Sequence, residues 1–240
     1  MTRVSGKNSS TSRRAGLRAD ARRNREQLLA AARDVFVEQG ADAPLDEVAR
    51  RAGVGIATLY RRFPDRESLM RGLALDILGR AAHEARAALA DEPDPFRALA
   101  RYMHRALDLR ISAVMPALLG RISFDDAEVS QARQESVEPV LRMIDAAQTA
   151  GSLRRDVAFG DIGPLLVRLS RPLPGEFPRE LDNGLAHRHL DLVLAGLRAG
   201  AESATTPLGG PRVTLEQLRS AGSVSMRDDR KRSAGDGLTE

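Results

Sequence analysis

Apolar residues recur at three- and four-residue spacing in successive segments of this 240-residue chain, and glycine or proline separates the segments. Leu69, Leu73 and Ile77, for example, stand at i, i+4 and i+8 in a segment that ends before Pro93. That spacing places the side chains on one face of an α-helix. No stretch of useful length alternates apolar and polar residues as a half-buried strand does. The sequence therefore predicts an all-α fold.

Charge is distributed unevenly along the chain. The net charge is +4, yet residues 1–27 hold eight basic and two acidic residues, which is a net charge of +6. A basic arm on a mildly acidic remainder favours a polyanionic partner, and nucleic acid is the first candidate. On charge alone, a solvated tail without a partner is an equal alternative. Because residues 1–20 contain almost nothing apolar, we expect them to be disordered.

Composition and motifs exclude several classes of protein. The chain has no cysteine, so it forms no disulfide and no thiolate metal site. The longest stretch without a charged residue, 111–120, is far shorter than the roughly 20 residues that a bilayer span requires. The N-terminal region has no apolar block of the kind found in signal peptides, so we expect a cytoplasmic protein without membrane contact.

The same inspection finds no motif of a catalytic or nucleotide-binding site. His187 and His189 are two residues apart on a predicted helix and diverge by about 200°, whereas a helical metal site uses i, i+4 pairs. We therefore predict that the chain is not an enzyme. No catalytic residue, cofactor or metal site is expected.

Two short helices joined by a glycine turn are the most informative motif of the chain. The pattern predicts helices from Pro44 to Arg51 and from Gly55 to Arg62, and Gly53 accepts a left-handed turn between them. Apolar residues on both helices hold them across each other and leave one face of the second helix outward. An eight-residue helix is about 12 Å long, which suits a major groove about 12 Å wide. The segment therefore predicts a helix-turn-helix with a recognition helix.

Residues 52–63 (AGVGIATLYRRF) and 66–69 (RESL) resemble the DNA-binding signature of tetracycline-repressor-like (TetR/AcrR) regulators. The preceding helix, residues 28–40, is similar to the first helix of that family, so the resemblance covers about residues 24–70. One departure concerns the start of the second helix. Family members usually begin it with Thr or Ser, whereas Ala43-Pro44 stands here, so a cap and a phosphate contact are missing.

The resemblance implies roles for individual residues on a double-stranded DNA operator. Tyr60 and Thr58 would donate hydrogen bonds to phosphates, and Arg66, where the family usually has Lys, would add a charged phosphate contact. The start of the recognition helix and Arg61 would face base edges, because small groups admit close approach and Ile56 can touch a thymine methyl. The predicted DNA-binding residues are Gly55, Ile56, Ala57, Thr58, Tyr60, Arg61, Arg62 and Arg66.

The resemblance also implies that the later helices bind a small organic effector and form a homodimer. One short recognition helix reads few base pairs, so a symmetric pair on a palindrome is the usual solution. The predicted effector pocket consists of Leu73, Ile77, Leu99, Met103, Leu107, Leu118 and Phe124. The predicted dimer interface consists of Leu165, Leu169, Leu185, Leu192 and Gly196.

These expectations divide the chain into four regions. They are a disordered basic arm (1–20), a helix-turn-helix DNA-binding domain (21–68), a helical effector-binding and dimerisation domain (69–200), and a disordered tail (201–240). The predicted function is a ligand-responsive transcriptional regulator, a repressor that its effector releases from the operator. The alternative that stays open is an architectural or constitutive DNA-binding protein whose second domain only dimerises.

Overall fold

The structure is a computed structural model that describes residues 8–110, 114, 118, 126–175, 177–200 and 208–218. Contacts within the chain divide it into two compact units, residues 1–76 and residues 77–240. The described residues form helices and turns, with an isolated antiparallel bridge between Leu153 and Arg198 and no strand, so the predicted all-α fold is confirmed. The helices are α1 (Asn8–Gln39), α2 (Leu45–Arg51), α3 (Ile56–Arg62), α4 (Arg66–Asp91), α5 (Pro95–Asp108), α6 (Ala127–Thr149), α7 (Phe159–Leu169) and α8 (Arg179–Leu197).

The first helix is longer than its buried face requires. It ends as predicted at Gly40, whose φ of +86° lies in the left-handed region and whose N–H donates to the carbonyl of Phe36 at 3.1 Å. It begins at Asn8, well before residues 28–40, which the sequence pattern assigns to this helix. Arginine and alanine favour helix, and each residue added to an existing helix gains a hydrogen bond. The predicted disordered arm is therefore corrected for residues 8–20, which are helical.

Local hydrogen bonds set the start of α4. Asp65 is its N-cap, and its Oδ1 accepts a hydrogen bond from the N–H of Ser68 at 2.7 Å. The hydroxyl of Ser68 donates to the carbonyl of Asp65 at 2.8 Å. Further along α4, Asp76 Oδ2 lies 2.9 Å from Arg33 Nη2 of α1, and both side chains are mostly buried. The first unit therefore holds its part of α4 at two points.

In the second unit, α5 contacts α6, α7 and α8 and is the central helix. Its N-cap is Asp94, whose Oδ1 accepts hydrogen bonds from the N–H groups of Phe96 and Arg97 at 2.8 and 3.1 Å. The apolar face predicted from the helical spacing is buried in full. It comprises Phe96, Leu99, Met103 and Leu107.

Part of the C-terminal segment packs on the beginning of α7, which corrects the predicted disordered tail for residues 208–218. The N–H of Leu208 donates to Asp156 Oδ2 at 2.8 Å, and the Arg212 guanidinium donates to the carbonyl of Val157 at 3.2 Å. The carbonyl of Val213 accepts from the N–H of Gly160 at 2.9 Å. Composition alone suggested disorder, because it carries no sign of these hydrogen bonds with residues more than 50 positions earlier in the chain.

Two features of α7 provide the docking site for this segment. The N-cap residue is Ala158, which has no side-chain acceptor, so the carbonyl of Val213 serves an N–H of the first turn instead. Arg154 holds Asp156 through two hydrogen bonds of 3.0 and 2.8 Å. That pairing, together with the N–H of Leu208, keeps the pKa of the Asp156 carboxyl well below its usual range.

The docking predicts an unusual response to the substitution Gly160→Ala. A Cβ at this position would lie 2.1 Å from the carbonyl oxygen of Val213, so we expect the segment 208–218 to leave its site. Three lost hydrogen bonds at about 1 kcal/mol each outweigh a gain in helix propensity of up to about 1 kcal/mol. The free energy of unfolding from urea titration should therefore fall by about 2 kcal/mol.

In a chain that ends at residue 207, the same substitution should raise the free energy of unfolding, because only the helix-propensity gain is left. The matched control is Gly184→Ala on α8, where an added Cβ meets nothing within 4 Å. It should be neutral or stabilising in both chains. An equal effect of Gly160→Ala in the long and short chains would contradict the docking.

Candidate DNA-binding surface

A glycine turn joins α2 and α3. Gly53 has a φ of +69°, and the N–H of Val54 donates to the carbonyl of Ala49 at 3.0 Å. Val48 and Ala49 of α2 are buried, and Leu59 is the one buried residue of α3. Since Leu59 is the one side chain of α3 that is buried, most of the others are available to a partner. This is the geometry of a helix-turn-helix.

The outward face of α3 carries residues that the sequence proposes for contacts with DNA, both with bases and with phosphates. Ile56 is 40% exposed and Tyr60 is 49% exposed, which is unusual for large apolar and aromatic side chains. Ala57, Arg61 and Arg62 are exposed as well. Both ends of α3 suit contact with DNA. Its first turn carries small and apolar side chains, which allow close approach, and its last turn carries two cations, which attract phosphates. Contact with bases stays a prediction.

Thr58 and Arg61 are held together on this face. The Arg61 guanidinium donates through Nη2 to Thr58 Oγ1 at 2.8 Å. Because that oxygen acts as the acceptor, the hydroxyl hydrogen of Thr58 stays available to donate to a phosphate. The pair therefore presents a hydroxyl donor and a cation from adjacent turns of the recognition helix.

Ile56, Tyr60 and Arg66 line one concavity of about 440 Å³ in the first unit. Arg66 is half-buried there, and its Nη1 donates to the carbonyl of Ala41 at 2.7 Å, which fixes the guanidinium at the beginning of α4. An apolar group, a phenol and a cation around one hollow suit a sugar-phosphate strand. The structure thus brings together three of the eight predicted residues.

Carboxylates at this concavity are the feature that the sequence did not indicate. Asp46 and Asp65 line the same hollow as Tyr60 and Arg66. Asp46 lies in the first turn of α2, two or three residues after the place where the family has its Thr or Ser, and it carries a charge that repels phosphate. Its place in the first turn after Pro44 was the available signal, since acidic residues favour helix N-termini.

The arginines of α2 are paired with glutamates. Arg50 donates to both carboxylate oxygens of Glu47 at 2.8 and 2.7 Å, and this pairing lowers the pKa of Glu47. Arg51 binds Glu38 of α1 at 2.5 Å and lies 3.5 Å from Glu47. Their charge is thereby partly compensated, so Arg61, Arg62 and Arg66 dominate the cationic field of the recognition surface.

The predicted effector residues are buried. Ile77, Leu99, Met103, Leu107 and Leu118 are at most 3% exposed in the second unit. Leu73 is buried in the first unit, and Phe124 lies outside the described residues. A close-packed core and a closed ligand site both give such burial, so the pocket stays a prediction. In the described ranges, no group of three or more histidine, aspartate or glutamate side chains is placed to hold a metal ion.

The predicted dimer residues lie on the accessible sides of α7 and α8. Leu192 is 64% exposed, Gly196 is exposed, and Leu165, Leu169 and Leu185 are half-buried. The intrachain core of α8 uses a different set of residues, namely Leu190, Leu194 and Leu197. Within the part of the chain that the structure describes, every helix is too short or too polar to span a bilayer.

The fold and this surface define a helix-turn-helix DNA-binding protein of the transcriptional regulator class. Residues 28–73 match the family model of bacterial regulatory proteins of the tetR family, and residues 94–199 match that of the SbtR-like transcriptional regulator C-terminal domain. The chain belongs to the TetR family of bacterial transcriptional regulators. The resemblance drawn from residues 52–69 is confirmed.

Individual relatives agree with this assignment. The uncharacterized HTH-type transcriptional regulator Mb2274c of Mycobacterium bovis is 31% identical over 53% of this chain and 68% of its own. The TetR regulator SCO0520 of Streptomyces coelicolor is 35% identical, with a TM-score of 0.53 over 74% of this chain and 99% of its own. LfrR of Mycobacterium smegmatis, whose structure is a complex with proflavine, is 21% identical, with a TM-score of 0.51 over 70% of this chain and 95% of its own. These proteins are transcription regulators rather than enzymes.

Proposed function

We propose that this chain is a repressor that binds a palindromic operator as a homodimer and leaves it when a small organic effector binds the second unit. The observation that carries the proposal is the outward face of α3, where Ile56, Tyr60 and Arg61 are exposed while Leu59 is buried on the opposite side. Exposed apolar and aromatic groups beside cations suit bases and phosphates together.

Dimerisation is supported by the presence of both buried and exposed leucines along α8. One set of leucines on this helix is buried within the chain, and a second set, with Leu192 as its most exposed member, stays partly or largely exposed. Leu192 is 64% exposed, so a second copy that covers it removes apolar surface from water and thereby lowers the free energy of the dimer. A symmetric contact also places two recognition helices on one duplex, which matches a palindromic site.

An organic effector is supported by the apolar character of the second unit and by its central helix α5. The residues proposed to line the pocket carry no charge, so an occupant would be held by apolar contact. LfrR, which shares the fold, has been crystallised in complex with proflavine. The helix α4 includes residues of both units, from Arg66 to Asp91, and would transmit a displacement from the effector to α3.

The test begins with the operator. Footprinting of the purified chain on genomic DNA should give a protected palindrome, and compounds that release the chain from it are then selected. By linkage, operator DNA must weaken the binding of such a compound by the same factor that the compound weakens operator binding, typically about 5–150-fold. Calorimetric titration with and without operator measures this factor.

The control duplex has the two half-sites scrambled, and it should leave the affinity for the compound unchanged. Identical affinities in the presence and absence of operator would instead support a constitutive DNA-binding protein whose second unit only dimerises.

A further inference from the structure

Two histidines from helices that are distant in sequence face each other in the second unit. His104 lies on α5 and His187 on α8, and their Nδ1 atoms are 2.8 Å apart. The ring planes differ by 6° and the centroids are 5.1 Å apart. At this distance the contact is a hydrogen bond, in which one nitrogen donates and the other accepts. We call these two residues the histidine pair.

Each ring of the histidine pair has a carboxylate at its outer nitrogen. Nε2 of His104 lies 3.1 Å from Asp191 Oδ1, and Nε2 of His187 lies 2.9 Å from Asp108 Oδ1. An ionised carboxylate only accepts hydrogen bonds, so both Nε2 atoms carry hydrogens and donate them. The arrangement crosses twice between α5 and α8, because each ring binds the aspartate of the other helix.

Among the described residues, further charged groups reach the histidine pair through Asp108. Arg105 Nη1 lies 3.3 Å from Asp108 Oδ2, and Arg105 Nε lies 3.2 Å from Glu84 Oε2 on α4. Helices α6 and α7 also pack on α5. In the described ranges, no charged side chain of α6 or α7 contacts the pair or its two aspartates.

Counting hydrogens defines the charge state that satisfies every contact. The two Nε2 atoms hold one hydrogen each, and a third lies between the two Nδ1 atoms, so the pair carries three hydrogens and one positive charge. A fourth hydrogen would set two Nδ1–H groups against each other at 2.8 Å. With only two hydrogens, either the contact between the rings or one contact to an aspartate is lost.

We propose that the histidine pair makes the docking of α8 on α5 depend on pH, with the strongest docking when the two rings share three hydrogens. Histidine is the side chain whose ordinary charge change lies between about pH 5 and pH 8, so the number of hydrogens on the rings is the quantity that pH acts on. Gain or loss of one hydrogen belongs to the pair as a unit, because each ring sets the role of the other. Docking therefore passes through a maximum and weakens at lower and at higher pH.

A bound metal ion explains the geometry less well than a shared hydrogen. Only two nitrogens converge, whereas structural zinc takes four ligands. Both aspartates are engaged at the outer nitrogens, away from the point where the rings meet. The distance of 2.8 Å also matches a hydrogen bond directly.

The location gives the pH dependence a consequence for regulation. His104 follows Met103 and Asp108 follows Leu107, two residues of the proposed effector pocket, while Leu192 of α8 belongs to the proposed dimer interface. This consequence rests on the proposed function, whereas the pH-dependent docking itself does not. Weaker docking of α8 should loosen the dimer in parallel.

Hydrogen exchange of the full chain tests the proposal. Protection of amides in α8, corrected for the intrinsic effect of pH, should show a maximum between pH 5 and pH 8 and fall about fivefold on each side, as expected for one lost hydrogen bond. His104→Asn should abolish the maximum. The matched control is His189→Asn on α8, two residues after the pair's own His187 in sequence but with an exposed side chain, and it should keep the maximum.

A second variant covers the case in which His104→Asn unfolds α8. Asp191 is largely exposed, and Asp191→Asn keeps both rings while replacing an anion by a neutral amide. The third hydrogen is then stabilised less, so the maximum should move to lower pH.

Sedimentation of the same samples reports the dimer separately: a maximum in protection with a monomer at every pH would support the histidine pair and contradict the homodimer. Wild-type and His104→Asn profiles that coincide, or a profile that zinc chloride shifts, would overturn the proposal.

Discussion

Leu192→Glu should convert the protein from dimer to monomer without disturbing the fold of either unit. Leu192 is 64% exposed within its own chain, so the substitution removes little intrachain packing. In a symmetric interface both copies place a carboxylate against apolar surface, and each unpaired buried charge costs several kcal/mol. A loss of at least about 4 kcal/mol raises the dimer dissociation constant by about 10³-fold. Sedimentation velocity at micromolar concentration measures the change.

The matched control is Leu141→Glu on α6, an equally charged substitution of another exposed leucine outside the proposed interface. It should leave the sedimentation coefficient unchanged. In Leu192→Glu, the loss of the dimer should lower the affinity for the operator, because a monomer reads one half-site. In Leu141→Glu, the affinity should stay constant. A wild-type protein that sediments as a 26.0 kDa monomer at these concentrations would contradict the interface.

Features governed by neighbouring residues were predictable from the sequence. Gly40 and Gly53 adopt positive φ where the pattern requires a helix stop and a turn, and Asp65 caps α4. Each depends on a backbone preference or a hydrogen bond within a few residues, which the sequence states directly. The same holds for α3, because one buried position, Leu59, fixes which of its faces is outward.

Features governed by distant residues were not predictable. The segment 208–218 is ordered by backbone groups near Gly160, and Ser, Thr, Gly and Pro composition carries no sign of that contact. His104 and His187 are 83 residues apart, and each looks like an ordinary polar residue on its own helix. Tertiary packing brings them together, so only the structure reveals the hydrogen bond.

The recognition surface shows the same distinction within one site. The exposed positions of α3 follow from helical spacing, whereas the concavity they share with α4 depends on the path of residues 63–66. Asp46 enters that concavity from α2 and adds a negative charge that spacing alone did not reveal. Specific binding therefore requires Arg66 and the cations of α3 to outweigh local repulsion between Asp46 and phosphate.

Substitutions on α3 should separate affinity for DNA in general from choice of sequence. Tyr60→Phe removes one hydroxyl from a ring that is 49% exposed, so the fold is retained while a phosphate contact is lost. Affinity should then fall by a similar factor on operator and on random duplex, since phosphates carry no sequence information. Ile56→Ala should instead lower affinity for the operator and change the preferred bases, at about 1–3 kcal/mol for each half-site.

Because a dimer carries each substitution twice, Ile56→Ala should cost about 2–6 kcal/mol on the palindrome, roughly 30-fold to 10⁴-fold in affinity. Arg61→Ala should act similarly if its guanidinium leaves Thr58 for a base edge, and its matched control is Arg142→Ala, an exposed arginine of α6 with the same charge change. Binding to a library of operator variants measures all four proteins. Equal losses on operator and random duplex for Tyr60→Phe, Ile56→Ala and Arg61→Ala would contradict the division of roles, since exposed side chains that touch only phosphates cannot select a sequence.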